Sequence, residues 1–217
     1  MLFRSYLNFP VVSGNVSFYN QTKEVGIKPT PSIGGVGLIK DYTKMISMDL
    51  KEIDNLVLVI GKTEGHIDQS LFARTILDEK NGPPPEVNLF NEKNNGESIL
   101  NLIDKGYVKS AHDISLGGLL VAISKMCIKG NKGIKISKSK NLINEIEYFF
   151  AEDQGRYLIE INKEDLKEVT KILNKNSVHH EELGIITQND MIINEKTKVT
   201  IDELKSYYTN WLSKYMS

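Results

Sequence analysis

The chain has 217 residues, 40% apolar and 25% charged, with a formal net charge of −1. That length fits one large domain, or one domain plus a piece of another. The charge balance offers no basic field for nucleic acid and no polybasic patch for a membrane surface. Cys127 is the one cysteine, so no disulfide can form within the chain. It lies in the apolar run from Val121 to Ile128 and reads as a small buried hydrophobe, with a reducing cytoplasmic setting expected. No apolar run reaches the 18 residues of a membrane span, and the first residues lack the long apolar stretch of a signal peptide.

In chain order, PVVSGNVSFYN at residues 10–20 reads as a strand, a tight turn and a second extended stretch. Lys28-Pro29-Thr30-Pro31 is extended, because each proline restricts the residue before it. IGGVGLI at 33–39 reads as a strand with close backbone approach at its glycines. Residues 40–54 form a charged linker with a short helical turn. LVLVI at 56–60 has the continuous apolar character of a strand buried on both faces. Strands and helices then alternate. Helices are expected at 68–79 (Asp68 as cap), 98–105, 117–128, 142–149 and 163–174, and strands at 108–112, 133–136, 156–161, 183–187 and 191–194. Ile201, Leu204, Tyr208, Trp211 and Tyr215 recur every three or four residues, the period of a closing amphipathic helix. This alternation implies an α/β layered fold, with its main boundary near residue 50: residues 1–50, then 51–217.

Three segments carry candidate chemistry. In the first, Gly14 lets backbone amides approach an anion, Asn15 offers an amide oxygen suited to a hard cation, and Ser17 can donate to a phosphate or carboxylate. An ordinary turn explains the same residues. The second runs from Ser110 to Leu119. There Asp113 or Ser115 can cap a helix opening at Gly117, leaving the amides of Gly117 and Gly118 facing solvent at the positive end of the helix dipole. A capped helix start with no ligand is the plainer reading. The third is Phe149-Phe150-Ala151-Glu152-Asp153-Gln154-Gly155-Arg156, where Glu152, Gln154 and Arg156 can bind a polar ligand or simply form a solvated turn. His66, His179 and His180 have no metal-ligand spacing, and Gly61-Lys62-Thr63 lacks the upstream glycine of a P-loop.

The order PVVSGNVSFYN, PTPSIGGVGLI, AHDISLGGL, AEDQGR resembles the synthetase subunit of phosphoribosylformylglycinamidine synthase, from about Tyr6 to the C-terminus. That family shares its superfamily with aminoimidazole ribonucleotide synthetase, selenophosphate synthetase and thiamine-monophosphate kinase. The resemblance implies a C-terminal α/β domain of that superfamily at 51–217, preceded at 1–50 by the tail strands of a ferredoxin-like domain. It implies a ligase that turns formylglycinamide ribonucleotide, ATP and glutamine-derived ammonia into formylglycinamidine ribonucleotide. By position, Gly14 matches a glycine near ATP, Asn15 a Mg2+ ligand and Ser17 a substrate contact. Asp113, Ser115, Gly117, Gly118, Glu152, Gln154 and Arg156 match pseudo-symmetric counterparts of substrate-binding elements, serving an auxiliary phosphate site or structure only. The family usually has Ser-Asp-Gly-Gly where this chain has Ser115-Leu116-Gly117-Gly118, so Leu116 removes a polar group from that site.

The family's catalytic histidine, its lysine near ATP and most of its metal carboxylates are expected upstream of residue 1. The isolated chain is therefore expected to be inactive and to bind ATP weakly or not at all. Expected partners are a separately encoded N-terminal half, a glutaminase subunit, a small accessory subunit and a second copy of the chain. The competing readings are a non-catalytic nucleotide- or partner-binding module left by a decayed gene, and a relative of selenophosphate synthetase or thiamine-monophosphate kinase. A full set of acidic metal ligands would mark the last, and the sequence lacks it.

Overall fold

The computed structural model describes residues 2–27, 30–137 and 144–217. They divide into two compact units, Met1–Met45 and Ile46–Ser217.

The first unit holds little regular structure. Helix α1 spans Leu2–Tyr6, and strands β1 (Gln21–Thr22) and β2 (Val25–Gly26) form a two-residue hairpin. A 3-10 turn follows at Tyr42–Lys44, where the Asp41 carboxylate accepts from the Thr43 amide at 3.0 Å. The strands expected at 10–20 and 33–39 are not formed. Their apolar side chains stand in solvent, Val12 at 92% exposure and Val36 at 98%. A strand needs a neighbour to take its backbone hydrogen bonds, and among the described residues neither segment has one.

The second unit is built on a seven-stranded sheet. Its elements in chain order are β3 (Leu56–Ile60), α2 (Leu71–Thr75), α3 (Leu89–Asp104), β4 (Val108–Asp113), α4 (Gly118–Gly130), β5 (Gly133–Ile136), α5 (Glu145–Phe150), β6 (Tyr157–Ile161), α6 (Leu166–Lys175), β7 (His180–Thr187), β8 (Asp190–Ile193), β9 (Thr197–Thr200) and α7 (Ile201–Met216). The sheet order is β4-β6-β3-β7-β5-β8-β9. All neighbours are antiparallel except β5 and β8.

Every residue of β3 is buried, as its unbroken apolar run requires. The pleat sends successive side chains to opposite faces. Val57 and Val59 join a core with Leu119, Ile123 and Met126 of α4, Tyr148 and Phe149 of α5, and Ile201 of α7. Leu56, Leu58 and Ile60 join a second core with Ile99 and Leu102 of α3 and Val169 and Leu173 of α6. The result is three layers, helix–sheet–helix.

Several boundaries differ from expectation. Asp68 does not cap α2; the Ser70 hydroxyl does, accepting from the Ala73 amide at 3.0 Å. The α2 helix is only five residues long, where twelve were expected. Helix α3 starts at Leu89, with Asn88 accepting from the Asn91 amide at 3.0 Å, because its first turns are polar and show no apolar period. Strand β9, TKVT, was not foreseen. Of the helix expected at 142–149, Leu142 and Ile143 lie outside the described residues, and α5 begins at Glu145.

Candidate functional site

Strands β6 and β7 flank β3 and both run antiparallel to it, with Tyr157 and His180 opposite Ile60. The segments entering those two strands therefore meet the segment leaving β3. The start of α3 closes the remaining side. Between them lies a polar cleft of about 690 Å³, whose lining includes Lys62, Glu64, His66, Asn88, Glu92, Gln154 and His179.

The AEDQGR segment organises this end of the sheet. Asp153 receives three consecutive backbone amides: its Oδ2 accepts from Glu64 at 3.0 Å and Gly65 at 3.1 Å, its Oδ1 from His66 at 3.1 Å. Arg156 is only 1% exposed. It donates to the Ala151 carbonyl at 2.5 Å, to Thr63 Oγ1 at 3.0 Å and to the Asp153 carbonyl at 3.3 Å, and it lies 3.9 Å from the Asp153 carboxylate. Burial lowers its pKa, which Asp153 partly offsets. Glu152 Oε1 accepts from the amides of Leu71 at 2.7 Å and Gly117 at 2.8 Å. A charged group this deep persists only when its hydrogen bonds are made, and here the protein makes them itself.

Three expectations are thereby corrected. Arg156 and Glu152 do not form a solvated turn, since both are drawn into the fold. Neither Asp113 nor Ser115 caps α4 with its side chain: the N-cap is Gly117, at φ +90°, with no side-chain cap. The amides of Gly117 and Gly118 do not face solvent. Gly117 N–H donates to Glu152, and Gly118 N–H to the Ser115 carbonyl at 2.9 Å. A carboxylate of the chain thus occupies the position where a phosphate was considered. Gly118 is required for another reason. Its φ is +73°, and a Cβ there would lie 2.7 Å from the Phe150 carbonyl carbon and 2.8 Å from the Ala151 oxygen.

Of the predicted site residues, only Gln154 lines the cleft. Its amide donates to the Glu152 carbonyl at 3.2 Å. Lys62 pairs with Glu64 at 2.8 Å, and that bond raises the lysine pKa. His66 Nε2 lies 3.0 Å from the Pro83 carbonyl. Partial burial raises the Glu92 pKa from its ordinary value. The cleft thus offers mixed hydrogen-bonding groups with several carboxylates, a setting for a polar ligand rather than a polyanion. Lys62, His66, Glu92 and His179 were passed over in the sequence because none has diagnostic spacing; the glycine closing the LVLVI run was the visible pointer to a strand end.

In the first unit Gly14, Asn15 and Ser17 are all exposed. A Cβ on Gly14 would have no heavy atom within 4 Å, and Ser17 Oγ donates to the Tyr19 carbonyl at 3.4 Å. Among the described residues no group of three or more His, Cys, Asp or Glu is placed to hold a metal.

Residues 52–194 match the family described as AIR synthase related protein, C-terminal domain. The chain is 69% identical over 212 residues to the phosphoribosylformylglycinamidine synthase subunit PurL of Pelagibacter ubique, a match covering 98% of this chain and 29% of that relative. It is 40% identical over 210 residues to the PurL subunit of Bartonella henselae, covering 97% of this chain and 28% of that one. The chain therefore spans less than a third of the length of these relatives. Among solved structures, T. maritima PurL complexed with FGAR superposes with a TM-score of 0.64 at 18% identity, over 75% of this chain and 29% of that one. Hydrogenase maturation protein HypE in complex with ATP gives a TM-score of 0.51 at 12% identity, over 72% of this chain and 52% of that one. At these identities the likeness is one of fold.

Proposed function

We propose, for a chain that belongs to the AIR synthase related protein family by its C-terminal domain, that it works as one part of a phosphoribosylformylglycinamidine synthase. The reaction would be the ligation of glutamine-derived ammonia to formylglycinamide ribonucleotide at the expense of ATP. The observation that carries this reading is the 69% identity to a PurL subunit across 98% of the chain. Residues 1–50 would be the tail of a ferredoxin-like domain and 51–217 the C-terminal α/β domain.

In that assembly Gly14 would lie near ATP, Asn15 near Mg2+ and Ser17 against the substrate. The donor set on this chain does not fit a Mg2+ site by itself: Asn15 brings one amide oxygen, where Mg2+ takes six ligands in an octahedron. The exposed backbone at Gly14 has no walls to enclose a nucleotide. The remaining groups would come from residues corresponding to the rest of the relatives' length, in a cytoplasmic complex. One structural relative is described as PurLQS from Thermotoga maritima, and on this reading a glutaminase and a small accessory subunit are partners here as well.

The second unit would act as scaffold, with its cleft at the end of β3 open to a polar small molecule. Mixing the purified chain with the N-terminal part of a PurL subunit tests the proposal. ATP-dependent conversion of formylglycinamide ribonucleotide with ammonia is expected from the mixture and not from the chain alone. Turnover by the chain alone, or none from a mixture shown to associate, would overturn it.

A further inference from the structure

A smaller pocket of about 170 Å³ lies within the second unit, walled by Met48, His112, Lys125, Ile128, Lys129 and Tyr208. None of these residues belongs to the network around Asp153 and Arg156. His112 comes from β4 at the sheet edge, Lys125 and Lys129 from α4, and Tyr208 from α7. The two lysines are four residues apart, which places them on one face of the helix. Neither makes an ion pair among the described residues. His112 Nδ1 lies 3.2 Å from Asp113 Oδ1, while its Nε2 is buried with no hydrogen-bond partner. An unpaired buried ring nitrogen is unfavourable and rare enough to need a reason.

We propose that this pocket binds a small oxyanion of the phosphate class, held by the ammonium groups of Lys125 and Lys129 and by the His112 ring, with Tyr208 at its wall. Two lysines present point charges on flexible stems, which suit a compact tetrahedral anion; the arginine fork that matches a planar carboxylate is missing. Met48 and Ile128 add apolar wall, which lowers the local dielectric and strengthens the attraction. The volume lies below the roughly 300 Å³ at which sites for drug-sized ligands begin, so a phosphate fits and a nucleotide does not. Nε2 is closed off from water, so the anion reaches it by displacing the neighbouring side chains. The ring then carries two N–H groups, one toward Asp113 and one toward the anion, the added proton coming from solvent.

The test uses the full chain and inorganic phosphate at constant ionic strength, followed by the side-chain NMR signals of the histidines. His112 is assigned with H112Q, and exposed His179 serves as internal control. The expected result is a saturating shift at His112 with only a small linear drift at His179. Lys125→Met and Lys129→Met should each weaken binding about tenfold, the worth of one hydrogen bond to a charged group, while far-ultraviolet circular dichroism stays unchanged. Acetate should give no saturation. A His112 response that stays linear and parallels His179 would overturn the proposal. So would undiminished affinity in the folded double lysine variant, or saturation by acetate as tight as by phosphate.

Discussion

Glu160 ties three segments of the second unit together. It sits on β6 with its side chain fully buried and receives four donors: the amides of Lys51 at 2.8 Å and Glu52 at 3.0 Å, the Asn55 side-chain amide at 2.8 Å and the Ser110 hydroxyl at 2.8 Å. These bonds pin the segment leading into β3 against the middle of the sheet. Removing the carboxylate strands the buried Asn55 and Ser110 donors away from water and releases the Lys51 and Glu52 amides, so Glu160→Ala should cost about 3–5 kcal/mol. A lowered urea midpoint with an unchanged slope would record that loss. His112 gives a second residue-level expectation, this one in pH. Burial lowers its pKa below the ordinary 6.5 and Lys125 adds to that, while Asp113 opposes it. As pH falls, the unfolded chain takes up this proton before the folded one does. The group's contribution to stability is therefore full above about pH 6.5 and is lost as pH falls from there through the lower folded value. Urea midpoints measured at about pH 7.5 and about pH 5.5 should converge in His112→Gln relative to the parent chain, in phosphate-free buffer; an unchanged difference would show that other groups set the pH profile.

At the scale of elements, helix α7 shows what local sequence can specify. Thr200 Oγ1 accepts from the Glu203 amide at 3.1 Å, and Glu203 Oε2 accepts from the Thr200 amide at 3.0 Å, forming a reciprocal cap. Of the helix's residues only Ile201 is buried, so tertiary packing contributes little beyond its first turn. Thr200→Ala should destabilise this helix by about 1 kcal/mol, seen as faster amide hydrogen exchange in its first turn with β3 and β6 unaffected. The same locality explains which elements were legible in the sequence. β3, β5, β6 and α4 were readable because apolar period and burial coincide in them, and α7 because its apolar period is plain even though only Ile201 of it is buried. Helix α3 was half-missed because its first turns are polar and its cap, Asn88, sits behind a proline run that reads as a stop. The strands expected at 10–20 and 33–39 had good composition, but pairing is not written in composition. The cleft was illegible for a related reason: it depends on β6 and β7 running antiparallel beside β3, and those strands lie about a hundred residues or more further along the chain. The glycines at 117 and 118 were recognised as special, yet the signal is the same whether they cradle a phosphate or admit Glu152 and the backbone at 149–151.

For the whole molecule, the distribution of apolar burial is uneven. Both cores of the second unit are assembled from residues between Ile46 and Leu204. Among the described residues none before Leu50 is a buried hydrophobic, whereas the first unit leaves Val12, Val16, Phe18, Val36 and Leu38 largely in solvent. Stability tracks apolar area removed from water, at about 25 cal/mol per Å², so the first unit adds almost nothing to the cooperative unit built on the sheet. A chain beginning at Ile46 should therefore keep a sigmoidal thermal transition, with its midpoint shifted by no more than the few degrees that about 1 kcal/mol produces in a domain of this size. The 217-residue chain should be cut first by protease between residues 8 and 40, leaving a resistant fragment. A second consequence separates scaffold from activity. If the proposed function holds, the chain lacking residues 1–45 should still fold but fail to restore ligation when mixed with the N-terminal part, because Gly14, Asn15 and Ser17 are gone. Restoration of full activity by that shortened chain would place the essential contribution in the second unit instead, with the cleft at the end of β3 as the first region to mutate.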